Sequence, residues 1–110
     1  MWLITGIGFF SVVEKPGDRD AGRLTVRGRS MADLEALAGR LPSQPAIISG
    51  EGTDYPYRIR VDRDELALVV AQLVREIDYV NFKDAVRERQ GAKRAKAYGK
   101  VWGDLLTLEQ

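Results

Sequence analysis

Apolar residues recur along this chain at two spacings, and the spacing changes in a definite order. Gly8 to Lys15 (GFFSVVEK) is rich in aromatic and β-branched residues and reads as a strand. Trp2 to Thr5 is either the beginning of that strand or a short strand of its own. Pro16, Gly17 and Asp18 start a turn that Gly22 closes. From Arg23 to Arg29 the chain alternates: Leu24, Val26 and Gly28 share one face, and Arg23, Thr25, Arg27 and Arg29 share the other. Helical spacing follows. Ser30 and Asp33 form a capping-box-like pair, Leu34, Leu37, Ala38 and Leu41 form an apolar stripe, and Pro42 ends the helix. Alternation returns in a short strand at Ala46 to Ser49 and again from Tyr55 to Val61. There Tyr57, Ile59 and Val61 face one way and Arg58 and Arg60 the other. Pro56 cannot donate to a ladder, so it belongs at that strand's start or at a bulge.

Asp62 with Glu65 repeats the capping signal, and Leu66, Val69, Val70, Leu73, Val74 and Ile77 mark an amphipathic helix. Asn81 caps a short third helix with Asp84 as its partner, and Gly91 breaks it. A last helix runs from about Ala92 to Leu108, with Tyr98, Val101, Trp102 and Leu105 along one side. Tyr79 and Phe82, in the connection before the third helix, are expected to plug a corner between helices and not to form an active site.

The order β-β-α-β-β-α followed by two helices predicts an α+β fold in one domain, residues 1–110. Sequential strands prefer to pair. The expected sheet is therefore four-stranded and antiparallel in the order 1-2-4-3, a permuted ferredoxin-like arrangement with two helices on one face. Three places remain open for the C-terminal helices: the second face, the first helical layer, or another subunit.

Composition narrows the chemistry. The 110 residues are 45% hydrophobic and 30% charged, the usage of a folded domain. Cysteine and histidine are both absent. That removes disulfides, thiolate nucleophiles, the commonest metal ligand and the commonest general base, so no metal and no cofactor is expected. Binding is favoured over catalysis. The formal net charge of +1 requires any polyanion site to be a local patch. No apolar run approaches the ~20 residues of a membrane span, and the first residues lack the pattern of a signal peptide. A cytoplasmic protein without a membrane partner is expected.

Two patches meet the local requirement. If the Arg23–Arg29 and Tyr55–Val61 strands are neighbours, Arg23, Arg27, Arg29, Arg58 and Arg60 project from one sheet face. Guanidinium groups bind phosphate and carboxylate bidentately, and Phe9 or Phe10 on the adjacent strand could stack on bases. The competing reading is a wet sheet face with Glu14 and other acids pairing locally. The second patch lies on the last helix, where Lys93, Lys96 and Lys100 share a stripe opposite Tyr98 and Trp102. It competes with an ordinary solvated helix side. Gly6-Ile7-Gly8 lacks the later glycines and lysine of a phosphate loop, so it reads as a bulge or a close-packing site. Glu51, Asp54 and Tyr55 are the one loop group that could serve a small hydrolase or nuclease.

The segments GFFSVV, DYPYR, IDYVNFKDAV and the closing Tyr98-Gly99-Lys100-Val101-Trp102 together resemble a family of small uncharacterised bacterial proteins with IDY-x-NFK and Y-x-x-V-W segments. The resemblance covers nearly the whole chain. It implies a stand-alone bacterial protein and brings no activity, cofactor or site residue. The reading of the sequence is thus a non-enzymatic binding module for nucleic acid or another polyanion, an acidic protein included. The alternative is a protein-interaction or self-assembly module, a homo-oligomer included, using Tyr98 and Trp102.

Overall fold

The computed structural model describes residues 1–50 and 54–109. The chain divides into two compact units, Met1–Glu76 and Ile77–Gln110. The first is α+β. Its strands are β1 (Trp2–Thr5), β2 (Gly8–Val13), β3 (Arg23–Gly28), β4 (Ile48–Ser49) and β5 (Tyr57–Asp62), and its helices are α1 (Asp18–Ala21), α2 (Met31–Arg40) and α3 (Arg63–Arg75). All strand pairs are antiparallel, in the order β1-β2-β3-β5-β4.

The sheet has five strands where the alternation predicts four, because Trp2–Thr5 is a hairpin partner in its own right. Trp2 lies opposite Ser11 and Thr5 opposite Gly8. The Thr5 hydroxyl holds the turn: it donates to the Gly8 carbonyl at 2.9 Å and accepts from the Ile7 N–H at 3.2 Å. The pairing of Arg23–Gly28 with Tyr57–Asp62 forms as expected, with Val26 opposite Ile59 and Arg27 opposite Arg58.

Period-two alternation sends Phe10, Val12, Val26, Ile59 and Val61 into the core, where they meet Leu34, Leu37 and Leu41 of the α2 segment and Leu66 and Val69 of α3. Burying side chains of this size contributes about 1.5–3 kcal/mol each. Two glycines allow α2 to approach. A Cβ on Gly28 would sit 2.0 Å from Leu34 Cδ2. A Cβ on Gly8, whose φ is +152°, would sit 2.5 Å from Asp33 Cγ. The Ser30 hydroxyl caps α2 by accepting from the Asp33 N–H. The Asp33 carboxylate itself is buried and accepts from the Phe9 N–H at 3.0 Å, pinning the helix start to the β1–β2 hairpin. Gly8 thus serves close packing.

Asp62 caps α3 by accepting from the Asp64 and Glu65 N–H groups. The apolar stripe of this helix is shorter than its spacing predicts. Leu66 and Val69 are buried, but the helix ends at Arg75, and Val74 and Ile77 are exposed. Arg40 and Glu76 form a two-bond ion pair at 2.8 and 2.9 Å.

The second unit is helical: α4 (Phe82–Gln90), α5 (Ala92–Leu105) and a closing 3₁₀ turn at Leu106–Leu108. The Asn81 side chain caps α4 by accepting from the Asp84 N–H at 3.0 Å. Tyr79 and Phe82 do pack, with a correction to their partner. Phe82 stacks on Tyr98 of α5, centroids 6.0 Å apart, and Tyr79 leans on Phe82 at 5.7 Å, so the rings join α4 to α5. Arg89 bonds Asp78 at 2.6 Å, and this hydrogen bond holds the Asp78 carboxyl below its ordinary range. No helix among the described residues is long and apolar enough to cross a membrane.

Candidate anion-binding surfaces

On the sheet side opposite Phe10 and Val26, the register lines up Ser11, Arg27 and Arg58 on three adjacent strands, with Thr25 beside Arg60 one step along. Sequence alternation places these arginines together, and the pairing of β3 with β5 brings them there. Their surroundings are more built than a wet face requires. Arg27 donates to the Ser11 hydroxyl at 2.8 Å, and its guanidinium carbon lies 4.6 Å from the centre of the Tyr55 ring. Arg29 lies over the same ring at 5.2 Å and donates to the Asp54 carbonyl at 3.2 Å. Phe9 meets Tyr55 at 6.4 Å, and Trp2 meets Phe9 edge-on at 6.0 Å. The result is a run of three aromatic rings ending in two guanidinium groups over Tyr55. Arg29 and Arg60 are exposed, and Arg27 and Arg58 are half-buried. Arg27 Nε is buried and has no hydrogen-bond partner among the described residues.

Arg23 is different. Its Nε donates at 2.8 Å to Asp18, a carboxylate only 1% exposed that also accepts from the Lys15 N–H at 2.7 Å and the Thr25 hydroxyl at 2.9 Å. Burial pushes the Asp18 carboxyl up, but the bonds from Arg23, the Lys15 N–H and Thr25 together outweigh it and hold the group below its ordinary value. Arg23 is therefore a structural cation and leaves the anion-binding set. The two phenylalanines also separate. Phe10 is 1% exposed in the core and cannot stack on a ligand; Phe9 is the one on the arginine side. Glu14 does not neutralise this face, because it pairs with Arg19 and Arg63.

In the second unit, α4 and α5 bound a groove of about 530 Å³. Lys83 and Arg87 line one side, Lys96 and Lys100 the other, with Gly99 on the floor and Trp102 at one end. The Lys83 ammonium lies 5.8 Å from the centre of the Trp102 ring. Lys96 and Lys100 thus share a groove with Trp102, where the helical spacing places them opposite it. Lys93 is exposed and does not line it. Tyr98 is 9% exposed and stacked on Phe82, so it is not available to a partner, whereas Trp102 is 63% exposed.

Of the loop group Glu51, Asp54 and Tyr55, Glu51 lies outside the described residues. Tyr55 serves as the ring beneath Arg27 and Arg29. Sequence reasoning missed that role, and it missed Trp2; the basic stretch over residues 83–100, which holds Lys83, Arg87, Lys96 and Lys100, is legible in the sequence, but their convergence on one groove is not. The alternation held the signal for Trp2, since a residue opposite Ser11 must share its side with Arg27. Nothing local marks Tyr55, which comes from outside the strands. No family model, curated protein or solved structure matches the chain.

Proposed function

We propose that this protein binds single-stranded nucleic acid, by its backbone and bases together, on the arginine side of the first unit's sheet. What supports this reading is one arrangement: Arg27 and Arg29 over the Tyr55 ring, continuous with Phe9 and Trp2 and beside Arg58 and Arg60. Aromatic rings offer stacking platforms to any base, and guanidinium planes take phosphate oxygens bidentately. Trp2 is 68% exposed at the end of the run, where a base could reach it. The proposal carries no catalytic step. It extends to a cytoplasmic setting, to kinship with the bacterial family suggested by the GFFSVV, DYPYR, IDYVNFK and YGKVW segments, and to a permuted ferredoxin-like core formed by β2-β3-β5-β4 with α2 and α3.

The test is a salt titration of labelled oligonucleotides by fluorescence anisotropy. Arg27, Arg29, Arg58 and Arg60 predict a slope of log affinity on log salt of about −3 for single strands. Binding should quench tryptophan emission and weaken in Arg58→Ala/Arg60→Ala. No binding at low salt would end the proposal.

A second reading has its own observation. Trp102, Leu105 and Leu108 are 63%, 54% and 71% exposed in one short stretch, which suits a protein partner or a second copy. Light scattering at rising concentration tests the second copy: a constant monomer mass removes self-assembly.

A further inference from the structure

Beyond the sheet, we infer that the α4–α5 groove is a separate site for a nucleoside polyphosphate, with the phosphates among its cations and the base on Trp102. Three properties of the groove carry this. The first is charge. Lys83, Arg87, Lys96 and Lys100 line it, and no acidic side chain does among the described residues. Each pair is spaced one helical turn apart, so two rows of cations face one trough. Within a chain of net charge +1 this is a local concentration of like charge, and like charges at this spacing oppose the helix.

The second property is the floor. Ala92, Ala95 and Gly99 hold no bulk, and a Cβ on Gly99 would meet nothing nearer than the Lys83 ammonium at 3.7 Å. Gly99 lies inside a 14-residue helix, where glycine is unfavourable by about 1 kcal/mol relative to alanine. Its helix-opposing presence leaves room beside Lys83 that a larger side chain would take up. The volume of about 530 Å³ lies in the range of small-ligand sites. The third property is Trp102, 63% exposed at the groove's end and already 5.8 Å from a cation. A flat ring beside clustered ammonium groups matches a ligand with a flat base beside clustered phosphates.

The experiment is calorimetric titration of the full chain with ATP and with inorganic tripolyphosphate. Saturable binding of ATP is expected, with tripolyphosphate weaker. Lys96→Glu/Lys100→Glu changes exposed side chains and should weaken ATP by about tenfold or more. Gly99→Leu keeps every charge, favours the helix and fills the floor, so it should abolish ATP binding while circular dichroism stays unchanged. Arg58→Ala/Arg60→Ala, on the sheet, should leave ATP binding intact, which separates this site from the oligonucleotide surface. ATP affinity unaltered by Gly99→Leu would overturn the inference, because a diffuse positive field needs no floor. Equal affinity for ATP and tripolyphosphate would overturn it too, since the base would then make no contact.

Discussion

In the unit Met1–Glu76, guanidinium groups are held by neighbours: Arg27 by Ser11 and Tyr55, Arg29 by Tyr55 and the Asp54 carbonyl, Arg23 by buried Asp18. In the unit Ile77–Gln110, the cations are mostly lysines on exposed helix turns, and the groove between them supplies the order. The first design fixes flat, directional donors before any ligand arrives, which lowers the ordering cost of binding. The second collects mobile point charges around a space. Arginine on strands and lysine on helices therefore prepare the two units for different anions: an extended one carrying planar bases, and a compact one.

The comparison breaks most visibly at Asp18. Asp18→Ala strips the partners from Arg23, Thr25 and the Lys15 N–H, and should destabilise the first unit by about 2–3 kcal/mol in urea unfolding. The pH dependence sharpens it. The folded carboxyl sits below its ordinary value of 3.8. Its stabilisation is thus complete above that value and fades as pH falls through the lower folded pKa, so wild type should lose its advantage over Asp18→Asn below about pH 4. In the second unit, Phe82→Ala removes the ring between Tyr79 and Tyr98. Truncation of a half-buried ring should cost about 2 kcal/mol, read as faster amide exchange in α4 and α5 with β3 and β5 unchanged. At the surface, Tyr55→Ala should lower single-strand affinity by about tenfold, the worth of one stacked ring, while Tyr55→Phe retains it. Equal losses in both variants would show that the hydroxyl, and not the ring face, matters. The smallest effect belongs to Lys93→Ala, which should change ATP affinity by no more than about twofold, as a screened charge outside the groove.

Much of the sheet is legible in the chain because its two central strands each alternate cleanly. Val26 and Ile59 announce the core, and Arg27 and Arg58 the opposite side. Capping was legible for the same local reason: Ser30, Asp62 and Asn81 each accept from an N–H within three residues. What escapes is long-range. Asp33 resembles half of a capping box, yet its carboxylate reaches Phe9, 24 positions away. Val74 and Ile77 keep the apolar period of α3, but nothing buries them, because period describes one helix and burial needs a second element. The groove escapes for a related reason. Lys83 and Lys96 belong to different helices, and their convergence depends on how Phe82 stacks upon Tyr98.

Between Arg75 and Phe82 the backbone leaves helical geometry, and Val80 is as exposed as a residue can be. A protease needs an accessible, non-helical stretch of this kind. One cut there would leave every strand on the larger fragment and every lining residue of the lysine trough on the smaller.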